Sequence, residues 1–134
     1  YKPRDAVFYD YVCTLGGVVE KYKPGDYEYD LPAGLLEAYR QKNFGPYKDS
    51  KVNDVVVSFI TTNDITGGNS GSPVLNAKGE LIGLAFDGNY EALSHKIAFD
   101  KDLNRTICVD VRYVLWCIDI LGGAKNIIAE LSLK

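Results

Sequence analysis

The stretch 66-TGGNSGSPVLNAKGELIGLAFDGN-89 decides how the rest of this 134-residue chain is interpreted. Two apolar runs, 72-SPVLN-76 and 80-ELIGLAF-86, are joined by the short turn 77-AKG-79, which predicts a β-hairpin. Just before the hairpin, Ser70 lies among glycines, which allow backbone conformations closed to other residues. Because acyl transfer to serine needs a hydroxyl exposed on a tight turn, the stretch predicts a hairpin preceded by a candidate nucleophile.

The same glycines indicate that the loop could meet a second requirement of acyl transfer, which is an oxyanion hole. Gly68 can adopt backbone angles that turn its N–H inward beside the N–H of Ser70, and two such groups form an oxyanion hole. A plain glycine-serine hairpin loop remains the alternative on the motif alone. The serine elbow of α/β-hydrolases is disfavoured, because that elbow is followed by a helix and Ser70 is followed by a hairpin.

Outside the hairpin, runs rich in β-branched and aromatic residues predict further strands over residues 6–22, 54–62 and 97–109. The pair Gly16-Gly17 interrupts the first of these and suggests a bulge or tight bend. Helices are predicted from an Asp30 cap to about Phe44, from an Asp110 cap to about Leu121, and over 124–131. The chain therefore reads as a single, mainly β domain over residues 1–134 with helices at its C-terminal end.

Composition narrows the possible functions. The chain is 46% hydrophobic and 25% charged with a net charge of −3, which is ordinary for a globular protein and argues against a nucleic-acid surface. No apolar stretch is long enough to span a bilayer.

The cysteines, Cys13, Cys108 and Cys117, include no C-x-x-C pair and stand among apolar residues, so we expect buried free thiols. The stretch 100-DKDLN-104 begins like a calcium loop, but Arg105 takes the glycine position, and no metal site is predicted.

Three runs carry a family resemblance: 61-TTNDITGGNSGSPVLNAKGELIGLAFDGNYEA-92, 4-RDAVFYDY-11 and 105-RTICVDVRYVL-115. Together they resemble the S46 family of bacterial dipeptidyl peptidases over nearly the whole chain. The resemblance implies the second barrel of a chymotrypsin-like double β-barrel with C-terminal helices, as the C-terminal portion of a larger catalytic domain. It also implies release of dipeptides from free N-termini, no metal or organic cofactor, and a periplasmic or cell-surface location in a Gram-negative bacterium. The expected partners are peptides with free N-termini, the remainder of the parent enzyme and, in the parent, a second copy.

The resemblance assigns roles residue by residue. Ser70 matches the nucleophile, and the N–H groups of Gly68 and Ser70 match the oxyanion hole. Asp87 matches an acid that binds the substrate's free α-amino group. Gly88 matches a position in the wall of the S1 pocket, where glycine goes with an apolar P1 side chain and arginine is expected in the acidic-specific branch.

The resemblance also implies where the triad partners lie. In these enzymes the order along the chain is His, Asp, Ser, and this chain begins after the first two, so we expect it to be inactive alone. His95, the single histidine, lies downstream of Ser70, on the wrong side for this order. We therefore interpret His95 as a loop residue.

Two alternatives stay open. Asp64 lies six positions before Ser70, where trypsin-like enzymes place the base of the S1 pocket, and an acid there selects a basic P1 residue. A protease-like barrel without triad partners could instead act only as a peptide-binding module. Asn69 stands where many trypsin-like proteases carry an aspartate that pairs with a new N-terminus, so activation of that kind is not expected.

Overall fold

A computed structural model describes residues 10–94 and 99–133, except for the side chains of residues 93 and 94. The described residues divide into two compact units. Unit 1 comprises residues 10–13 and the described part of 57–111, and unit 2 comprises residues 14–56 and 112–133. Each unit has buried residues of its own. The expectation that residues 1–134 form a single domain stays a prediction.

A five-stranded open sheet supplies most of unit 1. Its strands are β1 (Val12–Thr14), β2 (Val56–Thr61), β3 (Pro73–Leu75), β4 (Leu81–Gly88) and β5 (Thr106–Asp110), in the spatial order β1-β2-β5-β4-β3. β5 pairs antiparallel with both β2 and β4, and β4 pairs antiparallel with β3. The mainly β fold class is thereby confirmed, as are the strand predicted over 54–62 and the β3–β4 hairpin. The strand predicted over 97–109 was too long, because residues 99–105 form no strand and residues 97 and 98 lie outside the described residues.

Two glycines shape the hairpin. Gly79 in the turn has φ +76°, a left-handed conformation that favours glycine. At Gly83 in β4, an added Cβ would stand 2.6 Å from the Val109 carbonyl oxygen and 2.8 Å from the Phe59 ring. Gly83 therefore lets an aromatic ring from β2 cross the face of the sheet at close range.

Of the strand predicted over 6–22, residues 6–9 lie outside the described residues, and the rest of the prediction is largely wrong. After the three residues of β1 the chain forms the helix α1 (Leu15–Glu20). Two side chains satisfy the N–H groups of its first turn: Thr14 Oγ1 accepts the Gly17 N–H at 3.2 Å, and Asp54 Oδ2 accepts the Gly16 N–H at 2.8 Å. These caps, one of them 38 residues away, stabilise a helix where Val and Gly content indicated strand with a bulge.

The second helix, α2 (Ala33–Arg40), lies where a helix was predicted but has different ends. Pro32 precedes it without a side-chain cap, and Asp30 Oδ1 accepts the Leu31 N–H instead of capping the helix. The helix stops before Phe44 because Lys42 takes a left-handed conformation with φ 53°. A short 3₁₀ turn, Gly45–Tyr47, follows.

Helices close the chain as predicted. α3 (Val111–Trp116) begins directly after Asp110, continues as a π-helical turn over Cys117–Leu121 and ends at Gly122, and α4 (Lys125–Glu130) follows. Trp116 is fully buried in unit 2, where its indole N–H donates to the Asn43 carbonyl oxygen at 2.9 Å. The buried residues of unit 2 also include Leu15, Leu35, Leu36, Ala38, Tyr47, Val55 and Val56.

The cysteine prediction holds in part. All three thiols are free, Cys108 is fully buried and Cys117 is half-buried. Cys13 is exposed, so the expectation of a buried thiol is wrong there. The short strand β1 alternates its side chains, and Cys13 lies on the face turned to solvent while its neighbours are partly covered.

Candidate active site

Ser70 lies in the loop between β2 and β3, and its side chain is exposed. Gly68 and Gly71, on either side of it, have φ +95° and φ +86°, conformations that L side chains rarely adopt. Two backbone hydrogen bonds tie the loop to β4: the Gly71 N–H donates to the Ala85 carbonyl at 2.7 Å, and the Ala85 N–H donates to the Ser72 carbonyl at 2.9 Å. The serine is thus presented on a tight turn that hydrogen bonds to β4 hold in place.

Asn69 stabilises this loop through hydrogen bonds to Thr66. Its Oδ1 accepts hydrogen bonds from the Thr66 N–H at 2.9 Å and from Thr66 Oγ1 at 3.1 Å, and its own N–H donates to the Thr66 carbonyl at 3.1 Å. The amide therefore fixes the Thr66–Asn69 turn through neutral local bonds.

The hydroxyl of Ser70 donates to the Phe86 carbonyl oxygen at 3.3 Å, so it points toward β4. Proton transfer from a serine requires a base within hydrogen-bond reach. His95, the chain's single histidine, lies outside the described residues, and the prediction that it has no catalytic role stays a prediction.

A cavity of about 150 Å³ opens beside Ser70. It brings together three of the residues singled out from the sequence, namely Ser70, Asp87 and Gly88. Gly68 is next but one to Ser70 in the chain but is not among the lining residues. The full lining consists of Ile65, Thr66, Gly67, Ser70, Phe86, Asp87, Gly88, Asn89 and Ala92.

The two candidate substrate-binding residues lie at the end of β4. Asp87 is exposed, and its Oδ1 accepts the Gly88 N–H at 2.8 Å, which orients the carboxylate at the cavity wall. Gly88 is packed closely: an added Cβ would stand 3.1 Å from the Ala92 Cβ and 3.4 Å from the Ile65 Cγ2. Any side chain at position 88 must therefore enter the cavity or displace its wall.

The rival pocket residue, Asp64, is not brought to this cavity. Its side chain is exposed, its Oδ1 accepts the Ile65 N–H at 2.9 Å, and the lining begins one residue later at Ile65. The geometry therefore does not place Asp64 at the base of this cavity, where a trypsin-like enzyme would carry an acid.

Sequence reasoning missed several cavity residues. Ile65, Phe86 and Ala92 supply the apolar wall, and Asn89, which is only 3% exposed, supplies a buried amide. The apolar residues carry no local signal that separates a cavity wall from ordinary core. Asn89 had a weak one, because an asparagine directly after a strand and an Asp-Gly pair often marks a turn that its side chain stabilises.

Two kinds of site are not found in the described part of the chain. No group of three or more His, Cys, Asp or Glu side chains within residues 10–94 and 99–133 is arranged to hold a metal ion. Across the same residues, none of the helices is both long and apolar enough to cross a membrane.

Comparison with known proteins gives one consistent family. The family model for Peptidase S46 matches residues 1–133. Dipeptidyl-peptidase 7 of Capnocytophaga gingivalis is 59% identical over 124 residues, which is 92% of this chain and 17% of that protein. The Asp/Glu-specific dipeptidyl-peptidase of the same organism is 47% identical over 133 residues, which is 99% of this chain and 18% of that protein.

A solved structure extends the likeness to the fold. DPP11 of Porphyromonas endodontalis, crystallised with the dipeptide Arg-Asp, superposes with a TM-score of 0.92 at 42% identity, covering 100% of this chain and 19% of that chain. The chain thus spans less than a fifth of the relatives that it matches. Since the family model covers nearly every residue and the fold agrees, the chain belongs to the peptidase S46 family.

Proposed function

We propose that this chain is part of a longer serine-type dipeptidyl peptidase in which Ser70 is the nucleophile. The N–H groups of Gly68 and Ser70 would stabilise the oxyanion, and Asp87 would bind the free α-amino group of the peptide. The observation that carries the proposal is that Ser70, Asp87 and Gly88 line one cavity of about 150 Å³. A nucleophile next to an acid suits an enzyme that must recognise a charged N-terminus close to the bond it cleaves.

The remaining parts of the mechanism are assigned to the rest of the full-length protein. We propose that a histidine and an aspartate outside this chain complete the triad, so that the 134-residue chain alone does not turn over substrate. Without a general base the serine hydroxyl is a weak nucleophile, and base assistance alone is worth about 10²–10⁴ in rate. We further propose that the full-length enzyme is a homodimer in the periplasm or at the cell surface and needs no cofactor.

For the P1 residue we propose an apolar side chain. Ile65, Phe86 and Ala92 form an apolar wall, and no Lys, Arg or His is among the described residues that line the cavity. Relatives in the family differ on this point, because some are named Asp/Glu-specific dipeptidyl-peptidases. An acidic P1 residue would need a cation within a partly desolvated pocket, and the cavity beside Ser70 supports an apolar residue better.

The test of the chemistry uses the full-length protein and substrates with a free N-terminus. Ser70→Ala should lower kcat/KM by about 10³-fold or more, the scale of a missing triad residue. Ser72→Ala is the matched control, because it removes a hydroxyl from the same loop and should leave the rate within a few-fold of wild type. Retained activity in Ser70→Ala would reject the proposed nucleophile, and peptide binding without turnover in the wild type would favour a binding module.

The test of P1 preference compares Leu, Lys and Glu at P1 in the wild type and in Gly88→Arg. We expect Leu to lead in the wild type. A guanidinium at position 88 should raise the Glu-to-Leu ratio of kcat/KM by about tenfold or more, because a carboxylate could then pair with it while an apolar side chain would lose volume. A wild-type preference for Lys or Glu would contradict the proposed pocket.

A further inference from the structure

Asn89 stands out among the cavity residues because its side chain is buried and makes four hydrogen bonds. Its Oδ1 accepts from the Ala92 N–H at 3.2 Å and from the Arg105 N–H at 2.9 Å. Its Nδ2 donates to the Leu103 carbonyl at 2.8 Å and to Glu91 Oε2 at 2.9 Å. Its backbone adds two more bonds, since its N–H donates to the Arg105 carbonyl and its carbonyl accepts from the Ala92 N–H, both at 3.0 Å.

These bonds join two segments that no regular strand pairing connects. One is the short 3₁₀ turn Tyr90–Ser94, which contains the wall residue Ala92. The other is the loop of residues 100–105 that leads into β5. An asparagine that bonds to both segments limits how far the turn can move from the loop, because each bond tolerates only a few tenths of an ångström of displacement.

The loop at the other end of these bonds is held by its own contacts. The guanidinium of Arg105 donates to the carbonyl oxygens of Lys101, Asp102 and Asn104, at 3.1, 3.0 and 2.7 Å. Asp100 accepts the Asp102 N–H on its side chain and the Asn104 N–H on its carbonyl. The Arg105 guanidinium thus binds three carbonyl oxygens of a loop whose sequence begins like a calcium site. These bonds stabilise the segment to which Asn89 is hydrogen-bonded.

The position of Ala92 matters because it is packed directly against Gly88. A Cβ at Gly88 would lie 3.1 Å from the Ala92 Cβ, so the space in front of Gly88 is bounded by the turn that Asn89 holds. If the turn moved outward, the cavity would lose the wall that contacts a side chain bound there. The extent of the pocket on this side therefore depends on Asn89, whose side-chain polar atoms are hydrogen-bonded to other residues of the protein.

We propose that Asn89 is a positioning residue that sets the P1 preference by holding Ala92 against Gly88. The inference rests on the proposed function, since it takes the cavity beside Ser70 as the P1 pocket. The side-chain hydrogen bonds of Asn89 run to other residues and not to Ser70, so its removal should change which P1 side chains are accepted more than it changes the chemical step.

Asn76 offers a matched control at the opposite end of β4. Its Oδ1 accepts from the N–H groups of Lys78 and Glu80, at 2.8 and 3.1 Å, and its Nδ2 donates to Glu80 Oε2 at 2.7 Å. It is thus a second asparagine that stabilises a turn through two N–H groups and one carboxylate. It does not line the cavity.

The experiment measures kcat and KM of the full-length enzyme on dipeptidyl substrates with Leu or Ala at P1. Asn89→Ala should lower the Leu-to-Ala ratio of kcat/KM by about tenfold, mostly through KM, because the wall contacts only the larger side chain. Asn89→Asp keeps the accepting oxygen and loses the donating amide, and it should lower the ratio by about threefold. Asn76→Ala should leave the ratio within about twofold of wild type while lowering the Tm.

Three outcomes would overturn the inference. One is a ratio unchanged in both Asn89 variants, or in Asn89→Asp alone if Asn89→Ala does not fold. A second is an equal change in Asn76→Ala. A third is a fall in kcat alone that is equal for both substrates. Each of these leaves the proposed nucleophile intact if Ser70→Ala is inactive, whereas an active Ser70→Ala enzyme rejects the proposed function itself.

Discussion

In the Ser70 loop of unit 1, the groups that fix the structure are backbone amides, two glycines with positive φ and the neutral amide of Asn69. In unit 2, charged side chains stabilise the structure through ion pairs and hydrogen bonds. Asp119, 7% exposed, accepts the Tyr47 hydroxyl at 2.8 Å and pairs with Lys125, while Asp49 pairs with Arg112 at 2.7 Å. The Ser70 hydroxyl is exposed in the first region, whereas the carboxylates of Asp49 and Asp119 are partly or fully covered in the second.

The electrostatic consequences appear in unit 2. Burial and the neighbouring Asp119 carboxylate raise the pKa of Tyr47 to about 12. The Arg112 guanidinium and the N–H groups of Val52 and Lys51 lower the pKa of Asp49 to about 2, and Lys125 and Tyr47 lower the pKa of Asp119. Shifted pKa values often mark active sites, but structural ion pairs shift them too. In this chain, the groups with shifted pKa values, Tyr47, Asp49 and Asp119, form contacts that we interpret as structural. The candidate nucleophile Ser70 is instead identified by the backbone geometry of its loop.

The largest effect is expected from a comparison of two glycines, Gly68 in the proposed oxyanion hole and Gly79 in the hairpin turn. Gly68→Ala in the full-length enzyme should lower kcat by about 10²–10³, the cost of losing an oxyanion-hole donor, because φ +95° is strained for alanine and the turn must relax. Gly79→Ala is the control, since Gly79 has φ +76° and equally open surroundings in the hairpin turn. Both variants should lose about 1–2 kcal/mol of unfolding free energy. Equal kinetic losses in both would remove Gly68 from the oxyanion hole.

A smaller effect is expected from the buried cluster of unit 2. Tyr47→Phe removes the hydroxyl that donates to Asp119 and should lower the Tm by roughly 2–4 °C with kcat/KM within about twofold of wild type. Tyr27→Phe, at a fully exposed tyrosine, is the control and should change neither quantity. The test measures Tm by thermal unfolding and kcat/KM by steady-state kinetics on the same samples. A loss of activity without a loss of stability would place catalysis in a cluster that we interpret as structural.

The smallest effect concerns acid stability. The pKa of Asp49 is about 2 in the folded protein, below its usual value of 3.8, so its ion pair stabilises the fold fully above about pH 4 and is lost as pH falls toward 2. Asp49→Asn should therefore lower the Tm at pH 6, and the difference from wild type should shrink steadily between pH 4 and pH 2. The measurement is Tm against pH for both proteins. A difference independent of pH would show that charge at Asp49 contributes nothing.

Where the sequence failed, a distant residue decided the outcome. Residues 15–20 have the composition of a strand, yet Asp54, far along the chain, caps a helix there. Cys13 has apolar neighbours and is nevertheless exposed, because a short strand leaves one face to solvent. Asn89 forms hydrogen bonds to residues 14 and 16 positions away, whereas its local pattern indicates only a turn. These cases share one cause, since local propensity is weak compared with a tertiary hydrogen bond or the burial of a face.

The sequence by itself determined the β3–β4 hairpin, the strand before Ser70 and the glycine-rich loop, because their signals lie within a few residues: alternation of apolar side chains, a glycine turn and small residues around one serine. It also carried the family likeness from which roles for Ser70, Asp87 and Gly88 are predicted. Only the tertiary structure decided that these three share a cavity, that Asp64 stays outside it, and that Ala92 and Asn89 complete its wall. Hydrogen bonds between the Ser70 loop and β4 bring Ser70 beside Phe86, 16 positions along the chain, and that proximity is a property of the sheet and not of any segment.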